Sequence, residues 1–429
     1  MSHFGLLTNI IPKAENIDGF IRPPNRLAVL KAKERYQMAE TADVVIIGGG
    51  STGTSIALRL AQRGVKKIVL VEKKYLASGP TGKSMGNVRP FCPIEETMKI
   101  LLRSLKIFKN FGEEVGGDPG LVPSTRLRIA LEKDKKDLEA DAVWEKQMGA
   151  NIRVLYPSDL KELVPQLNLE GIGAAIHYLD ACYLNPVATT GAYAMRARDL
   201  GADIREETEV TGIKVSGGKV KSVVTNKGEI STPVVVNAAG VWAPRIGRMV
   251  GVDIPITIKR EQICSFLRPW DFRGIFPIIH NLVNEHIYRS EGNDILLAVD
   301  SFEFKRPEAA VTDPDHYNEE ADEAVVKVFL KEIPPILPPM KRASYRGGYA
   351  GIYDVPPDES PILGKVPEVE GFYLCCGWSG VGFGQSAAIS EVMAELITEN
   401  KTTLIDWKVF RLSRFKEGKP LVSTWRAHR

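Results

Sequence analysis

Residues 43–72 constrain what this chain can fold into more than any other stretch. Val44–Ile47 is a β-branched run of the kind that forms a parallel strand buried on both faces. Gly48, Gly50 and Gly53 follow as G-x-G-x-x-G, with Ser51 and Thr52 inside the motif. Residues 52–63 carry a helical apolar pattern ended by Gly64, Ile68–Val71 reads as a second strand, and Glu72 closes it. Strand, glycines, helix, strand and acid together make a complete βαβ dinucleotide fingerprint. Gly48 permits the tight turn, Gly50 lets backbone approach a pyrophosphate, and Gly53 lets helix and strand pack closely. The helix N-terminus offers free N–H groups and a partial positive charge to phosphates. Glu72 stands where it can accept hydrogen bonds from a ribose.

Length and charge bound the rest. A chain of 429 residues is long enough for two domains, each with its own core. The formal charge of +3 is small for this size and gives no general argument for nucleic acid or an acidic membrane surface. No apolar run approaches the length of a membrane span. Cys92, Cys182, Cys264, Cys375 and Cys376 are scattered without zinc spacing, and the vicinal pair suits a disulfide poorly. The six histidines show no metal-ligand spacing either, so no metal is expected. Free thiols fit a reducing, cytoplasmic setting, and residues 1–12 lack the basic region and apolar core of a signal peptide.

Residues 1–42 precede the first nucleotide-binding strand and read as an extension, with Leu27, Leu30, Tyr36 and Ala39 on one helical face. It is either a helix packed on the body or a docking arm through which the chain forms a homo- or hetero-oligomer. Helices are expected at 95–116, 133–148, 186–200, 318–332 and 384–398. Strands are expected at 125–131, 172–178, 203–215, 219–225, 229–236 and 371–376, with 257–268 and 284–300 rich in strand.

Three further motifs bear on chemistry. Residues 78–89 form a loop of small residues ending in Arg89, which lets backbone approach a large planar ligand. Residues 234–243 run a buried strand into Ala238-Ala239-Gly240, then Trp242. Residues 371–386 run a strand into Gly377, Gly380, Gly382 and Gly384 before a helix, whose N-terminus would present N–H groups to an electron-rich ring carbonyl.

These motifs and the fingerprint resemble the D-amino-acid oxidase superfamily of flavoenzymes, over residues 40–400. The superfamily includes glycine oxidase, sarcosine oxidases, dimethylglycine dehydrogenase and dye-linked proline dehydrogenases. The resemblance implies an α/β fold: a Rossmann-like FAD-binding domain with a second, antiparallel-sheet α+β substrate domain. It divides the chain into 43–125, 195–255 and 345–400 for FAD, 126–194 and 256–344 for substrate, and a tail at 401–429. It implies cofactor contacts at Gly48, Gly50, Ser51, Thr52, Gly53, Glu72, Lys73, Ser84, Met85, Gly86, Asn87, Val88, Val210, Ala239, Gly240, Trp242, Gly351, Gly380, Val381, Gly382, Phe383 and Gly384. No second strand–glycine–helix–acid unit points to a nicotinamide cofactor.

Departures from the relatives narrow the expectation. Tyr353 stands where glycine and D-amino-acid oxidases carry a carboxylate-clamping arginine, which resembles the sarcosine oxidase β, dimethylglycine and proline dehydrogenase branch. Gly351 matches the cysteine that tethers flavin in monomeric sarcosine oxidase, which implies non-covalent FAD. Met85 and Arg89 match a flavin-side histidine and arginine; Cys92 and Gly384 match its carboxylate ligands. Leu296 falls near its oxygen-activating lysine, and without a cation there oxygen should react slowly, which favours a dehydrogenase over an oxidase. The candidate substrate-facing residues are Arg89, Lys259, Tyr288, Tyr349 and Tyr353, with Arg260 and Arg346. The resemblance implies oxidation of a small secondary or N-methylated amino acid by hydride transfer to flavin N5. The alternatives are a 2-hydroxy acid or glycerol-3-phosphate dehydrogenase, or a FAD-bearing subunit of a larger electron-transfer complex.

Overall fold

The computed structural model describes residues 40–300 and 305–422; residues 1–39 of the expected extension and 423–429 of the tail lie outside it. The Val44–Ile47 strand lies inside a six-stranded sheet ordered Asp203–Arg205, Ile68–Val71, Val44–Ile47, Val235–Asn237, Phe372–Cys376, Ile362–Lys365. All neighbours are parallel except the last pair, which is antiparallel. Alternation explains why the run Val-Val-Ile-Ile is wholly buried. Val44 and Ile46 enter one core with the helices Ser51–Gln62, Glu95–Lys109, Pro186–Asp199 and Gly382–Glu399. Val45 and Ile47 face the opposite way, onto Val210, Ile213, Val223 and Ile230 of an antiparallel meander. Burying each such side chain contributes about 1.5–3 kcal/mol, so a two-faced strand is among the strongest anchors of the fold.

A second, nine-stranded sheet runs Ala310–Val311, Thr257–Leu267, Ile295–Asp300, His286–Glu291, Ile278–Asn281, Arg126–Leu131, Ile172–Tyr178, Ile152–Leu155. The ninth strand, Ser344–Val355, pairs with Thr257–Leu267 along its length. Every pairing is antiparallel except Ile278–Asn281 with Arg126–Leu131. The helix Glu323–Ile336 packs Val326, Phe329 and Ile333 against Phe266, Leu296 and Tyr288. Residues 41–422 thus give the mixed α/β fold expected, with the strand ends of both sheets meeting at one cavity.

Several elements differ from expectation, each for a local reason. The strand expected at 203–215 is two strands in different sheets, because the chain turns through Glu207 at φ +51°. That at 229–236 is also two, split beside Pro233, which has no N–H to continue a ladder. The helix at 95–116 stops at Lys109, where the Asn110 side chain donates to the Lys106 carbonyl at 3.1 Å and competes with the helical ladder. The helix at 318–332 starts later, at Glu323, and runs through Pro334 and Pro335 to Ile336. Asn168 answers its last carbonyls, donating its N–H to Ile336 at 2.9 Å and its amide to Pro335 at 3.0 Å. The strands Ile152–Leu155, Ile278–Asn281 and Ile362–Lys365 went unrecognised. So did Ser344–Val355, whose Gly347, Gly348 and Gly351 hide its pattern. That strand belongs to the nine-stranded sheet, so a division at 345 cuts beside its first residue. The Pro186–Asp199 helix likewise packs with the six-stranded sheet, although the sequence division runs to 194.

Candidate functional site

A cavity of about 600 Å³ runs from the glycines after Val44–Ile47 to the start of the Arg126–Leu131 strand. At its outer end the fingerprint glycines are fixed by close approach. Gly48 sits at φ +117°, and a Cβ there would lie 2.5 Å from the Ala238 carbonyl oxygen. A Cβ on Gly53 would lie 1.9 Å from the Gly48 carbonyl oxygen. Gly50 is the N-cap of Ser51–Gln62 and gives it no side-chain cap, which leaves first-turn amides other than that of Ser51 for a ligand. The Ser51 amide donates to the Thr81 hydroxyl at 3.2 Å. Glu72 lines the cavity and also braces the loop: its carboxylate accepts from the Gly49 amide at 2.8 Å and the Lys74 amide at 2.9 Å. The residues present fit an extended dinucleotide: Gly48 and Gly53 let the strand end, the Ala238 turn and the helix pack closely, and Gly50, at the uncapped helix N-terminus on the cavity wall, puts no side chain in the way of a phosphate.

Past this end, buried Asn237 pins the Ala238–Gly240 turn, donating to the Ala243 carbonyl at 3.0 Å and accepting from the Ala239 amide at 3.3 Å. Trp242 donates to Asp315 at 3.1 Å, Lys73 lies 4.0 Å over its ring and pairs with Asp315, and Arg245 bridges Asp315 and Asp313. Lys73, predicted as a cofactor contact, therefore already has a carboxylate and an indole. The Gly382–Glu399 helix also begins without a side-chain cap, and Gly380–Gly384 line the wall. Gly380 has φ +81°, and the ring of Tyr353 fills the volume its Cβ would take, at 2.5 Å. Next to Tyr353, Asp354 accepts from the Gly377 amide at 2.7 Å. Burial pushes its carboxyl up to about 6, against the opposite pull of the Gly377 and Trp378 amides.

The inner end is built around Phe91. Three guanidinium groups face its ring, Arg89 at 4.5 Å, Arg126 at 5.0 Å and Arg128 at 5.5 Å from the centroid. Arg126 and Arg128 are two apart on one strand and so share a face. Both are 0% exposed, yet their circumstances differ. Arg128 ion-pairs with Glu145 at 3.1 Å and Asp141 at 3.4 Å, and Tyr178 donates to Glu145 at 2.7 Å. Arg126 lines the cavity, and among the described residues none hydrogen-bonds its Nε, Nη1 or Nη2. Burial and the neighbouring Arg89 and Arg128 pull its pKa well below the usual arginine value. Arg89 is half-buried on the same wall, its pKa lowered by burial, and no carboxylate among the described residues pairs with it. His280 stacks on Phe91 at 6.3 Å and burial pulls it down to about 3, which keeps it neutral.

The cavity wall gathers most of the predicted residues: Gly48, Gly50, Ser51, Thr52, Glu72, Lys73, Ser84, Met85, Asn87, Arg89, Val210, Ala239, Gly240, Trp242, Gly351, Tyr353, and Gly380 through Gly384. Gly53, Gly86 and Val88 stand behind it; a Cβ on Gly86 would lie 2.0 Å from the Leu184 carbonyl oxygen, so its role is close packing. Five predicted substrate-facing residues are off the wall. Tyr288 is a 0% exposed core residue whose hydroxyl accepts from Asn284 at 3.1 Å. Lys259 donates to the Arg306 carbonyl at 2.9 Å. Tyr349 packs with Tyr183, Ile263 and Ile287. Arg260 is paired with Asp322 at 2.5 Å, and Arg346 is exposed. Sequence reasoning missed Phe91, Arg126, Glu261, His280 and Asp354, all of which line the cavity. One signal was present: Arg126-Leu-Arg128 puts two cations on one face of an otherwise apolar strand.

A family model described as FAD dependent oxidoreductase (DAO) matches residues 43–396. The mitochondrial sarcosine dehydrogenase of Homo sapiens is 27% identical over 382 residues, covering 85% of this chain and 40% of that protein. The sarcosine oxidase subunit beta of Rhodobacter capsulatus is 26% identical over 400 residues, covering 90% of each. The crystal structure of L-proline dehydrogenase from P. horikoshii superposes with a TM-score of 0.81 at 27% identity, over 89% of this chain and 100% of that one. The chain spans less than half the length of the human protein it matches. Among the described residues no helix is long and apolar enough to cross a membrane.

Proposed function

The chain belongs to the family of FAD-dependent oxidoreductases (DAO), with FAD as its cofactor, and on that premise we propose that it oxidises a small secondary or N-methylated amino acid of the sarcosine, dimethylglycine or proline type. The observation that carries this reading is the continuity of one cavity, from the uncapped helix N-terminus after Gly50 to the guanidinium groups of Arg89 and Arg126. One end suits a diphosphate; the other suits the carboxylate of an amino acid. FAD, when bound, supplies a two-electron acceptor for the hydride on the carbon next to nitrogen. The protein's share is orientation and electrostatics. Arg89 holds the carboxylate, and its positive field favours the neutral amine, the form that yields hydride. Tyr353, wedged against Gly380, sets the wall on which the substrate rests. On this reading the six-stranded sheet side carries the cofactor and the nine-stranded sheet side the substrate.

Two finer readings go with it. The cofactor is held non-covalently, since Gly351 has no side chain to tether it. Oxygen is a poor acceptor, since Leu296, at the position matched to an oxygen-activating lysine, is 0% exposed in an apolar core. Anaerobic mixing with a panel of amines, 2-hydroxy acids and glycerol phosphate tests the function: bleaching of the flavin by a secondary amino acid is expected. Bleaching by hydroxy acids alone would overturn it. Acid precipitation should leave the yellow colour in the supernatant, and colour on the pellet would disprove non-covalent binding. Flavin reduced by substrate should reoxidise slowly in air and quickly with a dye; peroxide formation matching dye turnover contradicts the dehydrogenase reading.

A further inference from the structure

Three arginines surround Phe91, and among the described residues only Arg128 has its charge answered by carboxylates. A lone buried guanidinium with no hydrogen-bond partner is strongly unfavourable. Asp141 and Glu145 show what the fold does when such a charge is structural: it brings two acids and Tyr178 to it. Nothing of the kind is brought to Arg126, although it stands on the same strand, on the same face, two residues away. Among the described residues its nitrogens have no hydrogen-bond partner, and its side chain borders the cavity, beside Arg89.

Donor number then bears on the ligand. Each guanidinium carries five N–H donors in a planar fork that matches one carboxylate bidentately. A single α-carboxylate satisfies Arg89 and leaves Arg126 as it stands. We propose that Arg89 and Arg126 form a paired acid-binding subsite, and that the substrate is an amino acid with a second carboxylate, its α-carboxylate and its side-chain or N-linked carboxylate each taken by one arginine. The inference rests on the amino-acid-oxidising reading of the same cavity and names the substrate class within it. His280, held neutral at this wall, adds no further cation, and the two forks both face the Phe91 ring.

The test uses the FAD-loaded enzyme and non-reacting anions, read by the perturbation of the flavin spectrum and by calorimetry. Malonate, succinate and glutarate are compared with acetate, propionate and inorganic phosphate. The best dicarboxylate should bind about 100-fold more tightly than either monocarboxylate, the scale of a desolvated charge pair. Equal affinity for mono- and dicarboxylates, or tighter binding of phosphate than of any dicarboxylate, overturns the proposal. Arg126→Met should bring the dicarboxylates down to monocarboxylate affinity. It should also raise the melting temperature of the anion-free protein, because an unanswered buried charge is removed; a structural arginine would lower it. A lower melting temperature with unchanged succinate binding overturns the assignment. Arg126→Lys keeps charge without the fork and should recover only part of the affinity. The two readings fail separately. Dicarboxylates that bind while no amine reduces the flavin refute amine oxidation and leave the subsite standing. Equal kcat/KM for sarcosine and its dicarboxylic analogues refutes the subsite and leaves amine oxidation standing.

Discussion

At the outer end of the cavity the polar groups already have partners: Glu72 holds the Gly49 and Lys74 amides, and Lys73, Trp242 and Arg245 converge on Asp315. At the inner end Arg89 and Arg126 both face the ring of Phe91, and among the described residues no hydrogen-bond partner reaches the Arg126 nitrogens. The outer end is therefore a preformed mould, made by backbone that can approach because side chains are missing. The inner end is a charge waiting for its counterpart. A mould is broken by adding atoms; a charge is silenced by removing them.

The largest effect should come from filling the mould. Gly53→Val would drive a branched side chain into the Gly48 carbonyl, where even a Cβ stands at 1.9 Å. Backbone there has no slack, so a loss of about 4 kcal/mol or more is expected, seen as colourless protein with a much lower melting temperature. Full FAD occupancy in this variant would show that the close approach is not needed. Next comes Arg89→Ala, which removes a cation from the inner end. Flavin reduction by a bound amine should slow roughly a hundredfold, about 3 kcal/mol in the transition state, by stopped-flow absorbance. Unchanged kinetics would make Arg89 a packing residue.

A third test lies between the ends. Asp354 has its folded pKa raised to about 6 from 3.8. The folded state holds this proton more tightly than the unfolded chain, so stability from this group is fully present below about pH 4 and is lost as pH rises through about 6. Asp354→Asn escapes that loss. Its melting temperature relative to the parent should rise between about pH 4 and about pH 7, by an amount equivalent to roughly 2 kcal/mol. A constant difference would mean the carboxyl is not perturbed. The smallest effect is Tyr353→Phe, which deletes one neutral hydroxyl. Substrate binding should weaken by about 1 kcal/mol, and a KM unchanged within error would place the hydroxyl away from the substrate.

The same contrast explains what could be read from the chain. Gly48 and Gly53 were legible because a backbone at φ +117° or a carbonyl within Cβ reach admits only glycine, and Gly50 and Glu72 because they complete the same motif within thirty residues of chain. Gly380, Gly382 and Gly384 were legible as a local run of glycines between a strand and a helix, and of the three Gly380 alone has a positive φ. The inner end is assembled from strands that start at Arg126, Ile278 and Ser344, far apart in sequence. Which polar residue on a strand faces the cavity depends on sheet register, and register is a tertiary fact. Tyr288 and Lys259 were chosen as polar strand residues and lie off the wall, while Arg126 and His280 were overlooked and lie on it. Arg89 was found because a local loop, not a register, delivers it.

The contact between Gly380 and the Tyr353 ring has a thermodynamic consequence. A turn next to the uncapped helix and a residue on the substrate-side strand are packed so closely that the Tyr353 ring occupies the place of a Gly380 Cβ, which gives displacement of one a direct route to the other. Whatever free energy a substrate contributes by fixing the Tyr353 ring must reappear, by reciprocity, as tighter retention of the flavin. The dissociation constant of FAD should therefore fall when the substrate site is filled, and by the same factor by which FAD lowers that of the substrate.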